Sequence, residues 1–330
     1  MTLPDQLRGR LRLPVIASPM FLASGPDLVI GTCRAGLLGT FPALNQRTTE
    51  GFEEWLTQIE EALAAPADGG REAAPFGVNL IVHRTNKRLE ADLERIVAHQ
   101  VPLVITSLGA VKEVVDAVHS YGGLVFHDVT NAGHAAKAAQ AGVDGIILVS
   151  AGAGGHAGAI NPFALIAEVR RVWDGPLVLA GALSTGRDVL AAQAAGADLA
   201  YMGTRFLATQ EATVTTDYKE MITSHGATEI VYTPSISSIP ANFLRGSIVS
   251  AGLDPERLAQ PDRVDLEHVT NPHDGAASDS KAWRDIWSAG QGVAAIDEVL
   301  PVADLVEQLC TEYDEAATQL RATMDEGSAR

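Results

Sequence analysis

Short, almost uniformly apolar runs alternate along this chain with longer segments in which apolar residues recur at three- and four-residue steps. Eight runs read as buried strands, at 14–20, 37–43, 76–81, 103–108, 123–129, 145–149, 176–182 and 199–204. Between them, segments such as 50–64, 88–99, 111–120, 132–141, 162–172 and 186–195 read as amphipathic helices. Gly142 and Gly196 stand where a helix ends before the next strand begins. Strands apolar on both faces, each followed by a helix, predict a parallel sheet covered by helices. Eight such units predict an α/β fold of the (β/α)8 TIM-barrel class. An open doubly wound sheet is the weaker alternative, because the first strand-to-helix turn, Ser18-Pro19-Met20-Phe21-Leu22-Ala23-Ser24-Gly25, has no G-x-G-x-x-G.

After strand eight the rhythm breaks. Clusters of turn residues, Thr233-Pro234-Ser235-Ile236-Ser237-Ser238-Ile239-Pro240 and Asn271-Pro272-His273-Asp274-Gly275, separate two or three expected helices. The expected organisation is strands one to eight with their helices in 1–207, a mostly helical insertion in 208–287, and a helical segment closing the barrel in 288–330. An excursion after strand eight falls on the face where barrels build active sites, well placed to act as a lid or as a homodimer contact.

Composition narrows the function. The 330 residues are 46% hydrophobic, ample for a large core. With 24 basic against 41 acidic residues and a formal charge of −17, neither a nucleic acid nor an anionic membrane surface is an expected partner. Any phosphate must therefore be held locally. Cys33 and Cys310 suggest no disulfide framework and no zinc spacing, and no export signal or membrane-length apolar run is present, so a cytoplasmic location is expected.

Candidate chemistry gathers at the strand ends. Ser150-Ala151-Gly152-Ala153-Gly154-Gly155-His156-Ala157-Gly158 follows strand six and puts one titratable side chain in a loop whose glycines allow close backbone approach to a ligand. In isolation His156 reads first as a surface-loop histidine. Loops Ala180–Gly186 after strand seven and Met202–Phe206 after strand eight offer small residues, exposed N–H groups and helix N-termini, the recurrent phosphate site of such barrels. Met20, Asn79, Ser107, Gly109, His127 and Asp128 fall at or just inside strand ends on the same face. A mostly apolar floor with a few amide, hydroxyl and imidazole groups suits a planar heteroaromatic ring better than a metal, for which strand one supplies no histidine. His127 and Asp128 are open between structural and functional roles.

Taken in order, Pro14-Val15-Ile16-Ala17-Ser18-Pro19-Met20, Phe76-Gly77-Val78-Asn79-Leu80, Gly154-Gly155-His156-Ala157-Gly158, Leu179-Ala180-Gly181-Ala182, Met202-Gly203-Thr204-Arg205-Phe206 and Ile286-Trp287-Ser288-Ala289-Gly290-Gln291 resemble the nitronate monooxygenases, once called 2-nitropropane dioxygenases, over nearly the whole chain. The resemblance implies FMN as cofactor, its phosphate on Gly181, Ala182, Gly203 and Thr204, its ring over Met20 and near Asn79, with Ser107, His127, Ser150 and Gly155 around it. It implies His156 as the active-site group, a general base toward a neutral nitroalkane and a positioning group toward an alkyl nitronate, with O2 as co-substrate. Ala17 stands where many relatives carry Gln, and Asp128 where some carry Lys. Similar sequences include NAD(P)H:quinone reductases, and more distant ones reduce enoyl thioesters, so an NAD(P)H-dependent reductase is the alternative.

Overall fold

The computed structural model describes residues 3–67, 70–109, 111–259 and 285–328. Eight strands close a parallel barrel in the order β1 (Val15–Ala17), β2 (Leu38–Pro42), β3 (Phe76–Ile81), β4 (Leu103–Ser107), β5 (Leu124–Val129), β6 (Gly145–Val149), β8 (Leu177–Ala180) and β9 (Leu199–Met202). β9 pairs with β1 from Val15↔Ala200 to Ala17↔Met202, which closes the ring. Helices α1 (Pro26–Ala35), α2 (Thr49–Ala64), α3 (Leu89–Ala98), α4 (Lys112–His119), α5 (Ala132–Ala141), α6 (Pro162–Val169) and α7 (Gly186–Ala195) follow the successive strands. All eight expected strands and all six expected helices form.

Alternation along each strand divides the core in two. Val78, Leu80, Val104, Val125, Ile146, Leu148, Leu177 and Leu179 face the helices, while Ile16, Leu38, Leu103, Ile105, Leu124, Phe126, Ile147 and Val178 fill the barrel. Burial on both faces is why these strands read as continuous apolar runs. Helix ends follow the same local chemistry: Gly36, Gly142 and Gly196 each adopt a left-handed φ and return their N–H groups to the last helical turn.

Where an eighth barrel helix would lie, a short helix α8 (Thr204–Leu207) is followed much later by the terminal helix α11 (Val302–Ser328), which packs on α1 and α7. Its buried Val302, Leu305, Val306, Leu309 and Ala316 form one stripe at helical spacing. Within the excursion after strand eight, α9 (Thr216–Ser224) and α10 (Arg245–Ser250) are helical as expected. Two strands, β10 (Ile230–Thr233) and β11 (Ala241–Leu244), were not expected there. They pair antiparallel, and β11 also pairs with β7 (Gly155–His156), so the excursion is hydrogen-bonded to the loop after strand six. The Asn271–Gly275 turn cluster lies outside the described residues. Among the described residues no helix is long and apolar enough to cross a membrane.

Candidate active site

The parity that fills the barrel also selects what its open end presents. Leu103 and Ile105 on β4, and Leu124 and Phe126 on β5, point inward, so Ser107 and Asp128, two residues further on, point inward as well. Asn79 lies between the outward Val78 and Leu80, and Tyr201 packs against the inner cluster. These four polar side chains line the floor of a cavity of about 1110 Å³ at the C-terminal end of the barrel. Three of them are linked in sequence: Asn79 Nδ2 donates to Ser107 Oγ at 2.7 Å, and Ser107 Oγ donates to Asp128 Oδ2 at 2.6 Å. Asp128 Oδ1 is buried with no hydrogen-bond partner. Burial pushes the Asp128 carboxyl up to about 6, against the opposing pull of the Ser107 hydroxyl. Burial, and then the Asp128 charge, hold the Tyr201 phenol well above its ordinary value.

His127 has the other parity. It shares the outward side of Val125 and Val129, its Nδ1 lies 2.8 Å from Thr106 Oγ1, and burial pushes its pKa down to about 4. It reaches the cavity wall as a neutral ring.

Met20 also reaches the cavity, but from a turn three residues beyond β1 rather than from the strand. That turn is fixed by Asn45, whose Nδ2 donates to the Met20 carbonyl at 3.0 Å and whose Oδ1 accepts from Leu22 N–H at 3.0 Å. On the opposite side Gly181, Ala182, Gly203 and Thr204 line the same cavity. A Cβ on Gly181 would overlap Ser150 Oγ, and one on Gly203 would come within 2.6 Å of Ser18 Oγ, so these two loops present backbone because nothing larger fits. Thr204 Oγ1 accepts from Gly290 N–H at 2.8 Å, which leaves its hydroxyl hydrogen to donate elsewhere.

Two sequence expectations need correction here. Ser150 does not line the cavity: it is fully buried and its hydroxyl donates to the Ala180 carbonyl at 2.6 Å, so it supports the strand-seven loop from beneath. The N-terminus of α7 is also closed to a ligand. The Asp188 carboxylate accepts from Ser184 and Thr185 N–H, both at 2.9 Å, and Glu312 on α11 accepts from Gly186 N–H at 2.7 Å. The Ala182 N–H donates to the Gly152 carbonyl at 3.3 Å, so the donors left at strand seven are the other N–H groups of the loop before the helix.

Gly155 and His156 meet the cavity from β7. Pairing with Ala241 and Asn242 holds the His156 backbone, Tyr232 donates to the Ala157 carbonyl at 3.0 Å, and buried Asn242 donates to the Ala153 carbonyl at 2.6 Å. Asn242 was not singled out in the sequence, although it interrupts an apolar run, Ala241-Asn242-Phe243-Leu244. Replacing it with leucine leaves the Ala153 carbonyl without its donor and is expected to cost ~1–3 kcal/mol. Chemical denaturation checks this, and an unchanged midpoint would mean that other bonds hold the loop. Tyr218 and Trp287 complete the wall as a stacked pair, ring centroids 4.9 Å apart at 10°.

Although the whole chain carries −17, its cavity is poor in acid. Among the described residues lining it, Asp128 is the one carboxyl group and Lys137 the one lysine or arginine.

The nitronate monooxygenase family profile matches residues 8–312, and the chain belongs to that family of oxidoreductases. Its members are flavoproteins, typically with FMN. A nitronate monooxygenase from Paraburkholderia phytofirmans is 27% identical over 93% of this chain and 94% of its own length. A (3aS,4S,5R,7aS)-5-hydroxy-7a-methyl-1-oxo-octahydro-1H-indene-4-carboxyl-CoA dehydrogenase from Rhodococcus jostii is 30% identical over 72% of this chain, which spans 64% of that relative. Among solved structures, a nitroalkane oxidase from Streptomyces ansochromogenes superposes with a TM-score of 0.78 at 27% identity, over 96% of this chain and all of that one. FabK from Thermotoga maritima superposes with a TM-score of 0.76 at 25% identity, over 97% of each chain.

Proposed function

We propose that this enzyme uses FMN to oxidise alkyl nitronates with O2 to a carbonyl compound and nitrite. The observation that carries the reading is an acid-poor cavity, inside an acidic protein, with backbone-lined loops on one side and His156 on the other. A drug-sized ligand occupies roughly 300–1,000 Å³, so about 1110 Å³ suits a flavin together with a small substrate. The backbone of Gly181 and Gly203 with the Thr204 hydroxyl would hold the phosphate, Ala182 lining the same loop with its N–H turned to Gly152, and Met20 and Asn79 would lie against the ring. FMN supplies two-electron redox chemistry and reactivity toward O2.

The residues of the chain do the rest. His156, its backbone set by pairing with β11, orients the substrate; it takes a proton from a neutral nitroalkane and steadies the charge of a nitronate, which has none to lose. Tyr218 and Trp287 bound the apolar side of the substrate space and exclude water. Nitrite release with one O2 consumed per propyl-2-nitronate tests the reading, and absence of nitrite would refute it.

A second reading, NAD(P)H-dependent reduction of a quinone or activated alkene, is favoured by Lys137 and His134, which line the cavity. They would suit a phosphate-bearing partner, whether a nicotinamide nucleotide or a CoA thioester like that in the Rhodococcus relative's name.

A further inference from the structure

The buried carboxyl at the cavity floor has no task in the reaction as described so far. Asp128 is the last inward residue of β5, and its two oxygens differ. Asn79 Nδ2 supplies a hydrogen to Ser107 Oγ, so the Ser107 hydroxyl hydrogen is committed to Asp128 Oδ2. Oδ1 is buried without a partner, on a residue that lines the cavity. A buried acceptor left unsatisfied is costly, and a buried ionised carboxylate with no paired cation more so. No lysine or arginine is bonded to Asp128 among the described residues. The titratable groups that share its cavity include Tyr201 across the floor, its neighbour His127, turned to the outer side, and His134, Lys137 and His156. None of them pairs with an oxygen of Asp128 to hold it ionised. A carboxylic acid resolves the conflict, with the proton on Oδ1 and Oδ2 accepting from Ser107.

We propose that Asp128 acts as a protonated hydrogen-bond donor from Oδ1 to an acceptor atom at the edge of the ring bound in this cavity. The inference rests on the FMN reading. It makes this floor a neutral donor that binds the ring best when the acid holds its proton, unlike the fixed cation that a lysine there would supply. Ionisation removes the donor and sets a negative charge against the electron-rich edge of the ring, so binding and carboxyl protonation are linked.

The test is FMN affinity, read by quenching of flavin fluorescence between pH 5 and pH 8 in wild type and Asp128→Asn. The amide is isosteric, keeps an N–H donor and cannot ionise. The FMN phosphate titrates in the same range for both proteins and cancels in the ratio of their dissociation constants. At pH 5 the two should agree within about threefold; at pH 8 the variant should bind at least about tenfold more tightly, the consequence of one or more pK units of linkage. Ser107→Ala, which removes the bond favouring the ionised form, should move the midpoint of the wild-type pH dependence upward, which loss of a merely structural contact would not do. A ratio flat across pH, or a wild type that binds more tightly than the variant at pH 8, overturns the donor assignment while leaving the flavin reading intact. Failure of both proteins to bind FMN at either pH overturns the flavin reading, and this inference with it.

Discussion

Replacing His156 with alanine lowers turnover of a neutral nitroalkane by roughly 10²–10⁴-fold, the range expected for loss of a positioned general base, while FMN stays bound. The structure explains why the effect should be confined to chemistry. The His156 backbone is held by β11 and the surrounding loop by Asn242 and Tyr232, and these supports remain when the imidazole is removed. The substrate pair sharpens the test. A nitronate has already lost its proton, so with it the same variant should lose only positioning and charge stabilisation, on the order of tenfold. Steady-state rates on nitroethane and ethyl nitronate measure the two losses. Equal losses would assign His156 to positioning alone, and unchanged rates on both would remove it from the reaction.

Thr204→Asp yields protein purified without flavin. Thr204 Oγ1 accepts the Gly290 N–H, and an aspartate oxygen can accept the same hydrogen, so the loop is expected to survive the change. What changes is the charge facing the phosphate. One unit charge against another at about 4 Å costs ~4 kcal/mol at an effective dielectric constant of about 20, roughly a thousandfold in affinity. Thr204→Ser keeps both the acceptor and the hydroxyl hydrogen and should retain FMN. Visible absorbance of the three purified proteins, beside a thermal melt to verify folding, decides the matter. Full flavin occupancy in the aspartate variant would move the phosphate away from the strand-eight loop.

The barrel was legible in the sequence because strands buried on both faces must be apolar at every position, and turn glycines mark the helix ends. The floor of the cavity was legible in part. Period-two counting from Leu124 and Phe126 aims Asp128 inward and His127 outward, a distinction that proximity to a strand end does not make. The capping box of Thr185 and Asp188 was equally visible, and it closes the helix N-terminus offered to a phosphate. Glu312, arriving from the terminal helix, has no local signal. Ser150 misled because a polar residue at a strand end reads as pocket-facing, whereas the Ala180 carbonyl beside it takes the hydroxyl. The sheet that secures His156 was the least legible feature. Its strands are two to four residues long, and the pairing of His156 with Ala241 joins residues far apart in the chain. Such short runs carry too few positions for a period to show.

Flavin bleaching under anaerobic conditions tests the central claim most directly. The purified enzyme, mixed without oxygen with propyl-2-nitronate, NADH or NADPH in separate experiments, should lose its visible flavin absorbance with the nitronate and recover it when air is admitted. Rapid bleaching by a nicotinamide nucleotide, with little by the nitronate, would contradict the monooxygenase reading and establish the chain as a reductase built on the same cavity.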